Sequence, residues 1–304
     1  MPAMDPAEAV DTINAAFGRH PQRRALHAKG LFCEGTFTAT PRAGELCRAA
    51  HLQGAPVPVR VRVSNGSGNP RVRDGAPDVR GLAVSFELPD GSRSDLVSQS
   101  VPRFFSSTPE DFIAFVRASS GRSAAVKLPA FLATHPRALR ALPANVAAMR
   151  PVASYATLRY YGVHAFRWLD AAGGSRFVRC DWAPEAGDHR LSPLEARKRS
   201  RDYLQDEFRE RLARGPARFT LDVQLAGPGD EVDDPAAHWP STRERVDAGT
   251  LEITAVVADP EAGGSIVVFD PMRLTDGIEA SQDPVLRFRP RAYSESADRR
   301  AVRT

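Results

Sequence analysis

PVPVRVRVSNGSGNPRVRDGAPDVRGLAVSFELPDGSRSDLVSQSVPRFF, residues 56–105, sets the architecture of this chain. Residues 56–64 and 80–88 alternate or run apolar with a period of two, as strands do, and Pro89-Asp90-Gly91 supplies the turn after the second. The Gly-, Pro-, Asn- and Asp-rich segment between them is a loop. Arg62 and Ser64 stand two apart and therefore share one face of their strand. Upstream, GLFCEGTFTAT at 30–40 has the same period. Further upstream, Asp5-Pro6-Ala7-Glu8 gives an N-cap, a first-turn proline and an acidic residue, predicting a helix to about Phe17.

Downstream, Thr108-Pro109-Glu110-Asp111 opens a helix carrying Phe112, Ile113, Phe115 and Val116, and 127–148 predicts two short helices broken at Pro136. Strand patterns follow at 154–168 and 175–182, then one highly charged helix from Ser192-Pro193 to about Arg214. Residues 217–226 and 250–257 restore the strand period, and an Arg-rich helix begins near residue 283. Many strands joined by short turns, with helices inserted in blocks, describe an α+β chain rather than a doubly wound sheet. No repeat, linker or domain boundary interrupts residues 1–304, so a single domain is expected.

At 304 residues the chain is long enough for a substantial core. Its net charge of +4 is no nucleic-acid signature, although Lys occurs only at Lys29, Lys127 and Lys198 and every other base is Arg. Arginine grips carboxylates with a planar fork that lysine lacks. Cys33, Cys47 and Cys180 form no CxxC pair, which argues against a zinc ribbon or a disulfide framework. The N-terminus has no secretory pattern and no run is long and apolar enough for a membrane span, so a cytoplasmic protein is expected.

Nucleotide-binding glycine fingerprints, HExxH and GxSxG are all absent. Taken singly, His27 would pass for an ordinary histidine, and Arg289 with Tyr293 for a surface pair one helical turn apart. Their company changes this. Arg24-Ala25-Leu26-His27-Ala28-Lys29-Gly30, then Arg62-Val63-Ser64, RGLAVSF at 80–86, DLV at 95–97 and finally Arg289 to Tyr293 occur in one order. With these motifs the chain resembles the haem catalases, and most closely the short catalase-family peroxidases. The likeness covers about residues 20–120 and 266–300.

That resemblance implies a closed antiparallel eight-stranded β-barrel with flanking helices, binding haem b between barrel and helices. It implies Tyr293 as the iron ligand, on the face opposite His27, with Arg289 stabilising the phenolate; independently of the resemblance, Asp283, six residues before Arg289, is placed to hold its guanidinium. It implies His27 as acid–base catalyst, Ser64 as its partner and Gln99 beside the peroxide. Arg24, Arg62 and Arg300 fall at the positions that bind the propionates; Phe112, the first apolar residue of its helix, is either a porphyrin-packing side chain or a plain core residue. Two departures stand out: Gln99 replaces an Asn of catalases, and Trp182 falls where they carry a second histidine. The chain also lacks the extensions with which catalases interlock.

The physical chemistry agrees with these roles. A phenol of ordinary pKa about 10 needs a cation and a metal to ionise, and a tyrosinate is a recognised haem ligand. A neutral imidazole can take and return the proton that peroxide cleavage moves. The implied activity is reduction of hydrogen peroxide or organic hydroperoxides through a ferryl intermediate, with oxidation of a small organic donor and weak dismutation. Rearrangement or cleavage of fatty-acid hydroperoxides, and non-enzymatic haem binding or sensing, are the other readings. The oligomeric state, monomer or small homo-oligomer, stays open.

Overall fold

A computed structural model describes residues 4–121 and 123–301. The first helix, α1 (Pro6–Phe17), starts where predicted, with the Asp5 carboxylate accepting from the Ala7 N–H. Then come β1 (Gly30–Ala39), α2 (Pro41–Leu46), β2 (Val57–Asn65), β3 (Arg80–Glu87) and β4 (Arg93–Gln99). Three helices follow: α3 (Pro109–Ser119), capped by Thr108, α4 (Ala124–Thr134) and α5 (Pro136–Ala148). The remainder is β5 (Tyr160–Tyr161), β6 (Phe166–Leu169), β7 (Ser175–Pro184), α6 (Pro193–Lys198), α7 (Tyr203–Arg214), β8 (Ala217–Leu225), β9 (Arg245–Val256), β10 (Ile278–Ala280) and α8 (Pro284–Ala301).

Eight strands close on themselves, every neighbouring pair antiparallel, in the order β1, β2, β3, β4, β5, β7, β8, β9 and back to β1. Strand β6 pairs with β7, and β10 with β6, as an extension outside the ring. Closure removes the free edges that an open sheet would expose. Inward-facing Val59, Val61 and Val63 of β2 meet Leu82, Val84 and Phe86 of β3 in one core. Trp182 is fully buried in that core and meets Phe37 edge-on at 6.0 Å. The tryptophan that stands where catalases carry a second histidine is thus a core residue of the barrel.

Two elements differ from the sequence pattern. The expected strand at 154–168 divides into the two residues of β5 and the start of β6, and residues 154–159 before them form a largely buried loop. There the Tyr155 hydroxyl donates to Asn65 Oδ1 at 2.8 Å and the Tyr160 hydroxyl to the Tyr155 carbonyl at 2.9 Å. The apolar run therefore reflects burial rather than pairing. The single helix expected from 192 to 214 is broken into α6 and α7. The fully buried Asp74 carboxylate accepts from Lys29 Nζ, Asn65 Nδ2 and the Leu204 N–H, while Arg73 donates to the carbonyls of Arg197 and Arg199. These side chains take backbone groups that a continuous helix would pair internally.

His51 lies in the barrel core, stacked on Phe86 at 4.4 Å, and burial pushes its pKa down to about 4. The folded protein keeps this ring neutral, while the unfolded chain takes a proton below about pH 6.5. Its contribution to stability is therefore complete above pH 6.5 and is lost as pH falls toward 4, at about 1.4 kcal/mol per pH unit. In urea unfolding, His51→Leu should flatten the pH dependence between 4 and 6.5 by one proton. An unaltered slope would show that His51 is protonated in the fold.

Candidate active site

The site begins as one row of residues across adjacent strands. Gly30 of β1 lies opposite Ser64 of β2, Ser64 opposite Gly81 of β3, and Gly81 opposite Gln99 of β4. Residues directly opposite in a ladder project to the same face, here the outer face of the barrel. His27, just before β1, drops onto this row. Its backbone is left-handed at φ 56°, unusual for a residue with a Cβ, and its N–H donates to the Gly66 carbonyl at 2.9 Å.

His27 Nδ1 then meets Ser64 Oγ at 3.0 Å. The two glycines make room for this. A Cβ on Gly81 would stand 2.8 Å from both His27 Nδ1 and Ser64 Oγ, and one on Gly30 only 2.4 Å from the Val63 carbonyl. At the end of the row, Gln99 Nε2 is buried with no hydrogen-bond partner among the described residues. The structure thus brings His27, Ser64 and Gln99 together.

Positive charge surrounds the imidazole. Arg62, buried on β2, donates to the His27 carbonyl at 2.8 Å and lies 5.5 Å from the centre of the Phe32 ring. Burial, then Arg62, Arg289, Arg24 and Arg80, push the His27 pKa down to about 3. The ring is neutral at any physiological pH. Burial also lowers Arg62, to about 9, and lowers Arg24. Arg24 and Arg300 converge on one oxygen of Glu261, at 2.9 and 2.8 Å. Arg24 and Arg300 therefore meet at a carboxylate, and among the described residues the buried Nε atoms of Arg24 and Arg62 find no acceptor.

Helix α8 supplies the other half. Both Nε and Nη2 of Arg289 donate to the Tyr293 hydroxyl, the first at 2.9 Å. Asp283 does not hold the Arg289 guanidinium, as the sequence suggested. Its Oδ1 accepts from the N–H groups of Val285 and Leu286 at the start of α8, and its Oδ2 lies 2.6 Å from His164 Nδ1. An acceptor at a helix start satisfies N–H groups with no intrahelical partner, so this carboxylate fixes where α8 begins. His164 is buried, its Nε2 has no partner among the described residues, and burial lowers its pKa against the opposing pull of Asp283. Phe112, on α3, stacks on Phe104 at 5.1 Å beside the α1–α3–α8 cluster.

The chain as a whole is similar to known proteins. The family model described as Catalase matches residues 8–303. A catalase-related peroxidase of Mycolicibacterium paratuberculosis is 51% identical over 294 residues, covering 96% of this chain and 94% of that protein. Another, from Synechococcus elongatus, is 33% identical, covering 97% and 88%. A fungal catalase crystal structure superposes with a TM-score of 0.83 at 25% identity, covering 93% of this chain; the chain spans 60% of that catalase's length.

The row makes a direct prediction. Gly81→Ala drives a methyl group between Ser64 and the His27 ring and pushes the ring toward solvent. In an NMR titration the His27 pKa should climb from about 3 toward its ordinary value. An unshifted titration would show that the strands yield and that Gly81 does not shape the site.

Proposed function

Because this chain belongs to the catalase family, we propose that it is a haem-b-dependent peroxidase. It reduces hydrogen peroxide or an organic hydroperoxide to water or alcohol, with electrons from a small organic donor. The observation that carries this reading is the Tyr293 hydroxyl accepting two hydrogen bonds from one guanidinium. Such donors stabilise a phenolate, the form that ligates ferric iron. The relatives named catalase-related peroxidase favour reduction over hydroperoxide rearrangement or haem sensing.

The residues present fit haem. Tyr293 would ligate the iron. Arg24, Arg62 and Arg300 would hold the propionates; the buried, acceptor-free Nε atoms of the first two mark a seat for anions. Phe112 would pack on the porphyrin. When bound, haem supplies the redox chemistry that breaks the O–O bond. His27, neutral and held at Nδ1 by Ser64, takes the proton of the incoming peroxide at Nε2 and returns it to the leaving oxygen. The Gln99 amide donates to the peroxide, which orients it. Two electrons and two protons from the donor complete the balance. Cys33, Cys47 and Cys180 are buried free thiols, which supports a cytoplasmic location.

Replacing the base tests the reading. His27→Gln, compared at equal haem content by absorbance, should lose peroxide consumption by about 10²-fold or more. Activity within tenfold of the parent would remove His27 from the chemistry. Gln99→Asn should raise oxygen evolution relative to donor oxidation, because the shorter amide of the catalases suits a second small peroxide. An oxygen electrode run beside a donor assay measures that ratio, and a ratio that stays put or falls would sink this role for Gln99.

A further inference from the structure

A cleft of about 180 Å³ opens between α1, the loop at 18–25 and α8. Arg19, Arg23, Arg299 and Arg300 line it, together with His20 and Asn14. Two of these guanidiniums are committed. Arg299 pairs with Asp11 and Glu295, and Arg300 with Glu261. Arg19 and Arg23 are exposed, and among the described residues neither forms an ion pair. Their charge is felt nearby: Asp11 is held below the usual carboxylate range, by its hydrogen bond with Arg299 and by the charges of Arg299 and Arg19. The lip of the cleft carries Gln22 in a left-handed conformation, φ 60°, a strained backbone for a residue with a Cβ.

Arg300 belongs to two places at once. It lines the cleft, and through Glu261 it joins Arg24, three residues before His27. The floor of the cleft is thus the outer side of the arginine group that would seat the propionates. The Glu261 carboxylate, bridging two of those arginines, shows that a carboxylate fits against them.

We infer that this cleft binds the electron donor, and that the donor is a small organic reductant bearing a carboxylate. Arg19 and Arg23 hold the anionic group. The oxidisable hydroxyl end faces Arg300, so the donor reacts without entering the pocket of His27. This rests on the peroxidase reading above and names its second substrate. Two donor molecules each lose one electron and one proton as an O–H bond breaks to give a radical. Together these reduce one hydroperoxide to alcohol and water.

The test compares caffeate with its uncharged methyl ester, in the haem-loaded protein and in Arg19→Glu/Arg23→Glu. Both substituted side chains are solvent-exposed, so the variant should keep its fold and haem absorbance. The ratio of the KM for caffeate to that for methyl caffeate should rise about tenfold, and added salt should raise it in the parent but hardly in the variant. A calorimetric titration of caffeate without peroxide should show binding to the parent that the variant loses. This arm tests the cleft even if the protein fails to turn over peroxide, an outcome that would count against the peroxidase reading alone. Equal effects on both donors, or caffeate binding untouched by the double substitution, would overturn the assignment.

Discussion

A slip of one residue between β2 and β3 would turn Gly81 away from His27 and bring the side chain of Arg80 or Leu82 into its place. The whole active site depends on that register. The hairpin turn at Pro89-Asp90-Gly91 fixes β3 against β4, while the buried Asp74 network ties the long loop between β2 and β3 to Lys29 and α7. Inside the barrel, Val61 and Val63 must face Val84 and Leu82, so the core and the row of Ser64, Gly81 and Gln99 enforce the same alignment from opposite faces. His27 can then adopt its left-handed backbone because Gly66 and Ser67 accept its hydrogen bond and that of Ala28.

The second constraint is electrostatic. A cluster of buried arginines is unfavourable unless anions compensate it. Burial first, and then these charges, keep His27 neutral; the same charges require a carboxylate, and Glu261 meets part of that requirement. Each feature serves the next. A neutral imidazole can act as a base, the arginines that depress its pKa suit propionates, and Arg289 both contributes to that field and stabilises the Tyr293 oxygen.

Much of this was legible because it is local. The caps of α1 and α3, the break between α4 and α5 and the alternation in β1, β2 and β3 are all written within a few adjacent residues. The motifs around His27, Ser64 and Tyr293 are likewise compact. What was missed is long-range. His164 and Asp283 are 119 residues apart, and no local pattern joins them. Glu261 stands 237 residues from Arg24. The α6–α7 break obeys Asp74, more than a hundred residues upstream, against a strong local helix pattern.

In the proposed haem complex Tyr293, held by Arg289, would ligate the iron. Resonance Raman spectroscopy of the haem-loaded protein, prepared with and without ring-deuterated tyrosine, tests that ligation most directly. Enhanced phenolate modes that shift with the label and disappear in Tyr293→Phe are expected. Phenolate modes that survive Tyr293→Phe, or an iron–histidine stretch in place of phenolate modes in the parent protein, would contradict Tyr293 as the ligand.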